Sequence, residues 1–232
     1  MQKHEIKVLG NDKQMYEVAD FVSAGKTHKD AIGIIFGTPI IGLRVLAFDC
    51  SLELWGKTDR LITEPHNEAQ TVQILCGLEN TNRTVDVQGH NDETTAAKWC
   101  WQYSRGDCQW YLPSLMELGT LFLVRNQIND ARKHLGGSSD CLLPIETYVW
   151  SGSVCNQYHI WNVGFGNGYF HYIGKDNSHI ARAVAAPFSQ TQSPSLFSDK
   201  AKSKNSKISD EELVNLLRNR GYSGELTKTL TV

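Results

Sequence analysis

Long apolar runs are missing. Nothing in the 232 residues approaches the ~20 consecutive apolar residues of a membrane span, so insertion into a membrane is not expected. An excess of one charge is missing too: 23 Lys and Arg stand against 25 Asp and Glu, for a formal net charge of −2. A near-neutral chain lacks the positive footprint that nucleic acid or an anionic membrane surface requires. No CxxC pair occurs, and no His sits at ligand spacing from two cysteines. A zinc site is therefore not expected, nor any other cofactor. The opening stretch MQKHEIKVLGNDKQMYEV has neither an apolar signal core nor a lipobox cysteine, which favours a non-Sec route. In that setting Cys50, Cys76, Cys100, Cys108, Cys141 and Cys155 read as reduced thiols rather than disulfides.

What is present suffices for one sizeable core, with 41% hydrophobic residues. Residues 1–30 are polar apart from 18–22 and read as an N-terminal strand and connector. Two apolar runs, 31–36 and 42–49, flank Gly37-Thr38-Pro39 and predict a β-hairpin buried on at least one face. Residues 56–92 are polar and irregular and read as a long loop. A helix is predicted over 92–103, capped by Asp92. Arg105-Gly106-Asp107 ends it. This RGD tripeptide reads as an ordinary loop, because three residues recur by chance. Ser114 and Glu117 form an S-x-x-E capping box. They open a second helix whose stripe is Leu115, Leu118, Leu121, Phe122, Ile128 and Leu135, with Gly136-Gly137 as its stop.

From Tyr148 the pattern turns to short strands. Asn167-Gly168 predicts a two-residue hairpin turn. Alternation places Trp161, Val163 and Phe165 on one face, and Asn162, Gly164 and Gly166 on the other. Residues 189–207 are a Ser/Lys/Gln-rich linker. Residues 208–232 then read as a helix–strand appendage. Ser209 and Glu212 cap its helix, and the stripe Leu213, Leu216 and Leu217 needs a partner surface. The fold class expected is α+β: two helices packed on short antiparallel strands over 31–188, with this C-terminal segment for docking or oligomerisation.

The order AAKWCWQYS, WYLPSLMEL, INDARKHLGG, YVWSGS, WNVGFGNG and ARAVAAPF resembles the variable proteins of diversity-generating retroelements from gut Bacteroidales and their phages. That family belongs to the wider C-type lectin-like group related to sulfatase-modifying-factor folds. The resemblance covers roughly 31–188. It implies a lectin-like domain with a surface rewritten by adenine-directed errors, chiefly at Asn codons. Residues reachable from such codons here are Tyr158, His159, Gly164, Gly166, Tyr169, His171, Tyr172, Ile173, Gly174, Asp176, His179 and Ile180. They interleave with Asn156, Asn162, Asn167 and Asn177, while Gln157 is not reachable. Trp161, Phe165, Gly168, Lys175 and Arg182 fit the positions that the family keeps as scaffold. The twelve reachable residues are the candidate ligand-binding set.

The chemistry of that set supports binding on its own terms. Tyr and His offer large amphipathic contact with two torsions to freeze, and Gly and Asn offer adaptable backbone and hydrogen bonding. Alternation puts Tyr169, His171 and Ile173 on one face and Phe170 and Tyr172 on the other. Displaying both sets would require a loop or irregular turn. Asn162 precedes Val163 where calcium-binding lectins carry an Asp, and no E-P-N or Q-P-D triplet occurs, so calcium is not expected. Formylglycine-generating relatives use a cysteine pair. Cys141 and Cys155 show no sign of a tuned thiolate, and no catalytic activity is expected. The function expected is host attachment by a phage tail protein. It would be made in the bacterial cytoplasm, carried on the virion through contacts of residues 208–232 with other tail proteins and assembled as a homo-oligomer, with a host surface protein or glycan as target. A bacterial surface adhesin, or a virion protein with a static lectin-like domain, are the alternatives.

Overall fold

The computed structural model describes residues 6–56, 68–88, 94–143 and 147–187. All of them lie in the unit Met1–Ser189; the linker and appendage expected over 189–232 lie outside the described residues. The architecture is α+β, with two sheets and helices on their faces.

Strands β1 (Lys7–Gly10), β2 (Met15–Glu17), β3 (Ala31–Thr38) and β4 (Gly42–Leu46) build most of the first sheet. β3 and β4 form the predicted hairpin, with Thr38 opposite Gly42. Ile41 is buried inside the turn, and its N–H donates to the Thr38 hydroxyl at 3.3 Å. β3 reads as a nearly continuous apolar run because both its faces are covered, as in a strand sandwiched between helical layers. Its Ala31, Ile34 and Phe36 join one core, and Ile32 and Ile35 the other. Residues 6–30 are more than a connector. β1 pairs antiparallel with β3, its Val8 and Leu9 are buried in the two cores, and Phe21 of α1 (Val18–Ser23) is fully buried.

The second sheet contains β5 (Ser51–Leu54), β7 (Tyr148–Val154), β8 (His159–Gly164), β9 (Phe170–Gly174) and β10 (Ser178–Ala181), in the order β5-β10-β7-β8-β9. β6 (Trp110–Tyr111) and β11 (Val184–Ala185) complete the first, whose order is β2-β1-β3-β4-β11-β6. A two-stranded ribbon joins the sheets. β4 runs on into β5 while β10 runs on into β11, with Leu46 opposite Val184 and Ser51 opposite Ala181. Two buried arginines fill the bend: Arg132 donates to the carbonyls of Ala47 (3.3 Å) and Phe48, and Arg182 to those of Cys141 and Leu142 (2.8 Å).

Helix α5 (Leu115–His134) covers one side of the sheets with Leu115, Leu118, Leu121, Val124, Ile128 and Ala131. Its start is the predicted capping box, both halves of which form. Its end is set by Gly136, at φ +71°, whose N–H donates to Lys133 while that of Gly137 donates to Arg132. This left-handed stop satisfies carbonyls that the last turn would leave bare. Glu117, fully buried, does more than cap. It accepts from the Ser114 N–H (2.8 Å), the Gly77 N–H (3.0 Å) and the Tyr111 hydroxyl (2.8 Å), and it pairs with Arg44. Burial, with the Glu117 carboxylate beside it, pushes the Tyr111 phenol far up.

The opposite side is covered by α4 (Ala96–Gln102), through Ala96, Ala97 and Cys100, and by α3 (Leu78–Gln88) through Val85. The cap of α4 is Thr95, whose hydroxyl accepts from the Lys98 N–H; Asp92, expected in that role, lies outside the described residues. α3, together with the short α2 (Glu68–Thr71), replaces part of the loop expected over 56–92. The helix went unread because its inward face is built from Thr81, Thr84 and Val85. Threonine and valine are indifferent helix formers and give a weak apolar stripe. The RGD tripeptide is tied down. Arg105 donates to the Ala31 (2.8 Å) and His28 carbonyls, and Asp107 pairs with Lys13 at 2.7 Å. Among the described residues, no helix is long and apolar enough to cross a membrane.

Candidate binding surface

β9 is the edge of the second sheet among the described residues. That placement resolves the display problem without a loop. An edge strand has no neighbour on one side, so side chains from both its faces can reach solvent. β9 is regular, paired with β8 from His159 opposite Gly174 to Val163 opposite Phe170. Phe170 turns inward toward α5, where it meets Gly119.

On the α5 side of the hairpin, Tyr172 stands 57% exposed. Its ring is propped edge-on by His159 (centroids 5.5 Å apart) and by Trp161 (5.7 Å). Trp161 itself is buried, as are Val163 and Phe165 beside it. Tyr158, 60% exposed, sits in the turn between β7 and β8. That turn is organised by Asn156, whose side-chain oxygen accepts from the N–H groups of Tyr158 (2.8 Å) and His159 (2.9 Å) and contacts His159 Nδ1 at 3.0 Å.

The opposite face carries a second aromatic group. His171 lies edge-on to Tyr148 (5.4 Å), and His179 is held between Tyr148 (5.5 Å) and Trp150 (4.8 Å). Tyr169, 64% exposed, leans toward His171 at 6.2 Å. Asn162, opposite both Trp150 and His171, is fully buried, and neither of its amide atoms has a hydrogen-bond partner. Nε2 of His171 and Nε2 of His179 are likewise buried and unbonded. Burial holds the His179 imidazole below its ordinary pKa, so it is kept neutral.

The twelve candidates therefore divide. Tyr158, Gly166, Tyr169, Tyr172 and Asp176 are exposed; His159, His171, Gly174 and His179 are half-buried around them. Ile173 packs against one core and Ile180 against the other. Gly164 is buried and offers no surface. A Cβ there would stand 2.8 Å from Asn167 Oδ1 and 3.3 Å from the Tyr148 ring. The Asn167-Gly168 turn exists, but as a four-residue connection. Gly164 N–H donates to the Tyr169 carbonyl and Gly168 N–H to the Gly164 carbonyl, with Gly168 at φ +74°. Of the expected scaffold residues, Trp161, Phe165, Lys175 and Arg182 are buried and Gly168 is half-buried, with Lys175 Nζ 5.3 Å above the Trp55 ring. Sequence reasoning missed Tyr148, which touches both histidines. Its place at the start of a strand carried no local signal.

No family model matches the chain, and no curated protein matches it. Among solved structures it is similar to a fimbrial protein from Bacteroides ovatus, with a TM-score of 0.57 at 14% sequence identity. The match covers 78% of this chain and 48% of that one, so the chain spans about half the length of that protein.

Proposed function

We propose that the protein is an attachment protein, an adhesin of the bacterial surface, that grips its target with the β8–β9 hairpin and the turns at its ends. One observation carries this reading: Tyr158, Tyr169 and Tyr172 are 60%, 64% and 57% exposed on a hairpin whose Ile160, Trp161 and Val163 are buried. Exposed tyrosines on a rigid frame offer contact area at little cost in side-chain entropy, as in antibody paratopes. The fimbrial neighbour supports an attachment role through likeness of fold. The frame is read as C-type lectin-like, supported by the sequence order WYLPS, YVWSGS and ARAVAAPF, by the capped helix α5 and by the ribbon linking the sheets. The target is a host surface protein or glycan.

A second reading puts the same surface on a phage particle, diversified by a retroelement. It is favoured by the exposure of five of the twelve candidate positions. It is weakened by the crowding at Gly164. It is weakened again by Asn156, Asn167 and Asn177, whose side chains each bond the backbone of their own turn and so have a structural reason to be Asn.

The test is a triple variant, Tyr158→Ser, Tyr169→Ser and Tyr172→Ser, in the full chain. Binding to immobilised epithelial-cell surface protein and to mucin should weaken by at least about thirtyfold, since even one buried interface tyrosine contributes about 2 kcal/mol or more. The melting temperature should hardly change. Undiminished binding to the probe that the unaltered chain binds would refute the assignment of the surface, and a collapse in stability would place these rings in the core.

A further inference from the structure

The bend between the sheets holds a feature unrelated to the binding surface. Cys50 lies just before β5, and Cys141 ends the single helical turn Ser139–Cys141 that follows α5. The residues are 91 apart in sequence, yet their Sγ atoms are 2.9 Å apart. We propose that Cys50 and Cys141 form an oxidisable pair that closes into a cross-link on meeting an exchangeable disulfide, such as that of a thiol–disulfide oxidoreductase or oxidised glutathione.

Three features carry the proposal. First, the sulfurs are already in contact, so forming a bond of about 2.05 Å requires a shift of under about 1 Å. Second, both segments are pinned. Arg182 binds the carbonyls of Cys141 and Leu142, and Arg132 those of Ala47 and Phe48, so the thiols are held facing each other by groups that do not depend on the bond. Third, both cysteines are half-buried rather than sealed, unlike Cys100, so an exchange partner can reach them. Burial pushes the Cys50 thiol up to about 11 against the pull of the Arg182 cation. Cys50 is thus a slow spontaneous nucleophile that needs a good exchange partner.

The chemistry balances in two steps. A thiolate of the pair attacks one sulfur of the incoming disulfide, which breaks, expels one thiolate and leaves a mixed disulfide on the protein. The second cysteine loses its proton to solvent and attacks the protein sulfur of that mixed bond. The Cys50–Cys141 bond forms and the second external thiolate leaves. Two protein thiols are oxidised, one external disulfide is reduced, and the two protons end on the departing thiols. The product ties the ribbon between the sheets to the helical turn Ser139–Cys141.

The full chain is incubated in a glutathione redox buffer, quenched with acid, alkylated under denaturing conditions, digested and mapped by mass spectrometry. The expected result is a Cys50 peptide joined to a Cys141 peptide and lighter by two hydrogens than the separate peptides, with the other four cysteines alkylated. The oxidised form should melt about 5–10 °C above the reduced form, a difference that vanishes in Cys50→Ser. Alkylation of both Cys50 and Cys141 after oxidation, or joining of Cys50 to a different cysteine, would overturn the proposal. The peptide map needs only the unaltered chain, so it decides even if Cys50→Ser folds poorly.

Discussion

His179 shows how one residue couples the surface to stability. Its imidazole is wedged between Tyr148 and Trp150, and the carboxylate of its cross-strand neighbour Glu53 accepts from the Ser51 hydroxyl. Burial holds its pKa below that of an ordinary histidine. A lowered pKa means that the unfolded chain takes up the proton more readily than the folded one. This contribution to stability is therefore complete above about pH 6.5 and is lost as the pH falls below it. Melting temperatures measured from pH 7 to pH 5 should fall further for the unaltered protein than for His179→Gln. Parallel curves would show that the imidazole is not held neutral by its site. At this scale the sequence was informative about chemistry and poor about direction. The Tyr and His residues of 158–180 were visible, and alternation correctly separated His171 from Tyr172. What alternation could not supply was that β9 has a neighbour on one side alone. Nor could it foresee that Gly164 lies against Asn167 and Tyr148. Both depend on contacts between segments far apart or folded back through a turn.

At the scale of elements, local signals were reliable where a side chain bonds its own backbone. The capping box of α5 is the clearest case, because Ser114 and Glu117 satisfy each other within one turn. Yet Glu117 also holds Tyr111 of β6 and, from two distant segments, Arg44 and the Gly77 N–H. The two halves of one motif should therefore differ in cost. Ser114→Ala removes a cap and should cost about 1 kcal/mol. Glu117→Gln takes the charge from a buried pair and leaves Arg44 uncompensated, which should cost about 3–5 kcal/mol. Urea denaturation of the two variants measures the difference, and equal losses would mean that Glu117 acts as a cap alone. Elements with tertiary causes were the ones misread. α3 is a helix because Thr81 bonds the Gly77 and Leu112 carbonyls and Val85 joins a core, not because its own residues favour one. The cap of α4 is Thr95, one residue before its first turn.

For the whole molecule, the decisive piece is the N-terminal strand β1. β1 lies between β2 and β3, and sends Val8 into the core under α5 and Leu9 into the core under α4. Like β3, β4 and β11 it serves both cores, and it does so by pairing with residues more than twenty positions later in the sequence. If residues 6–30 were a connector, substitutions there would be nearly silent. The structure requires the opposite. Leu9→Ala should destabilise the protein by about 2–5 kcal/mol, the usual range for emptying a buried leucine site. Exposed Met15→Ala, on the neighbouring β2, should stay within about 0.5 kcal/mol. Removing residues 1–17 would take β1 and β2 from the sheet and leave the outer edge of β3 unpaired, an exposed apolar edge that invites aggregation. The truncated chain should therefore lose its cooperative thermal transition or associate, and amide protons of β3 should exchange much faster in any monomer that remains. Calorimetry and hydrogen exchange read these outcomes separately. A truncated monomer with an unchanged transition would return these residues to the role of a connector.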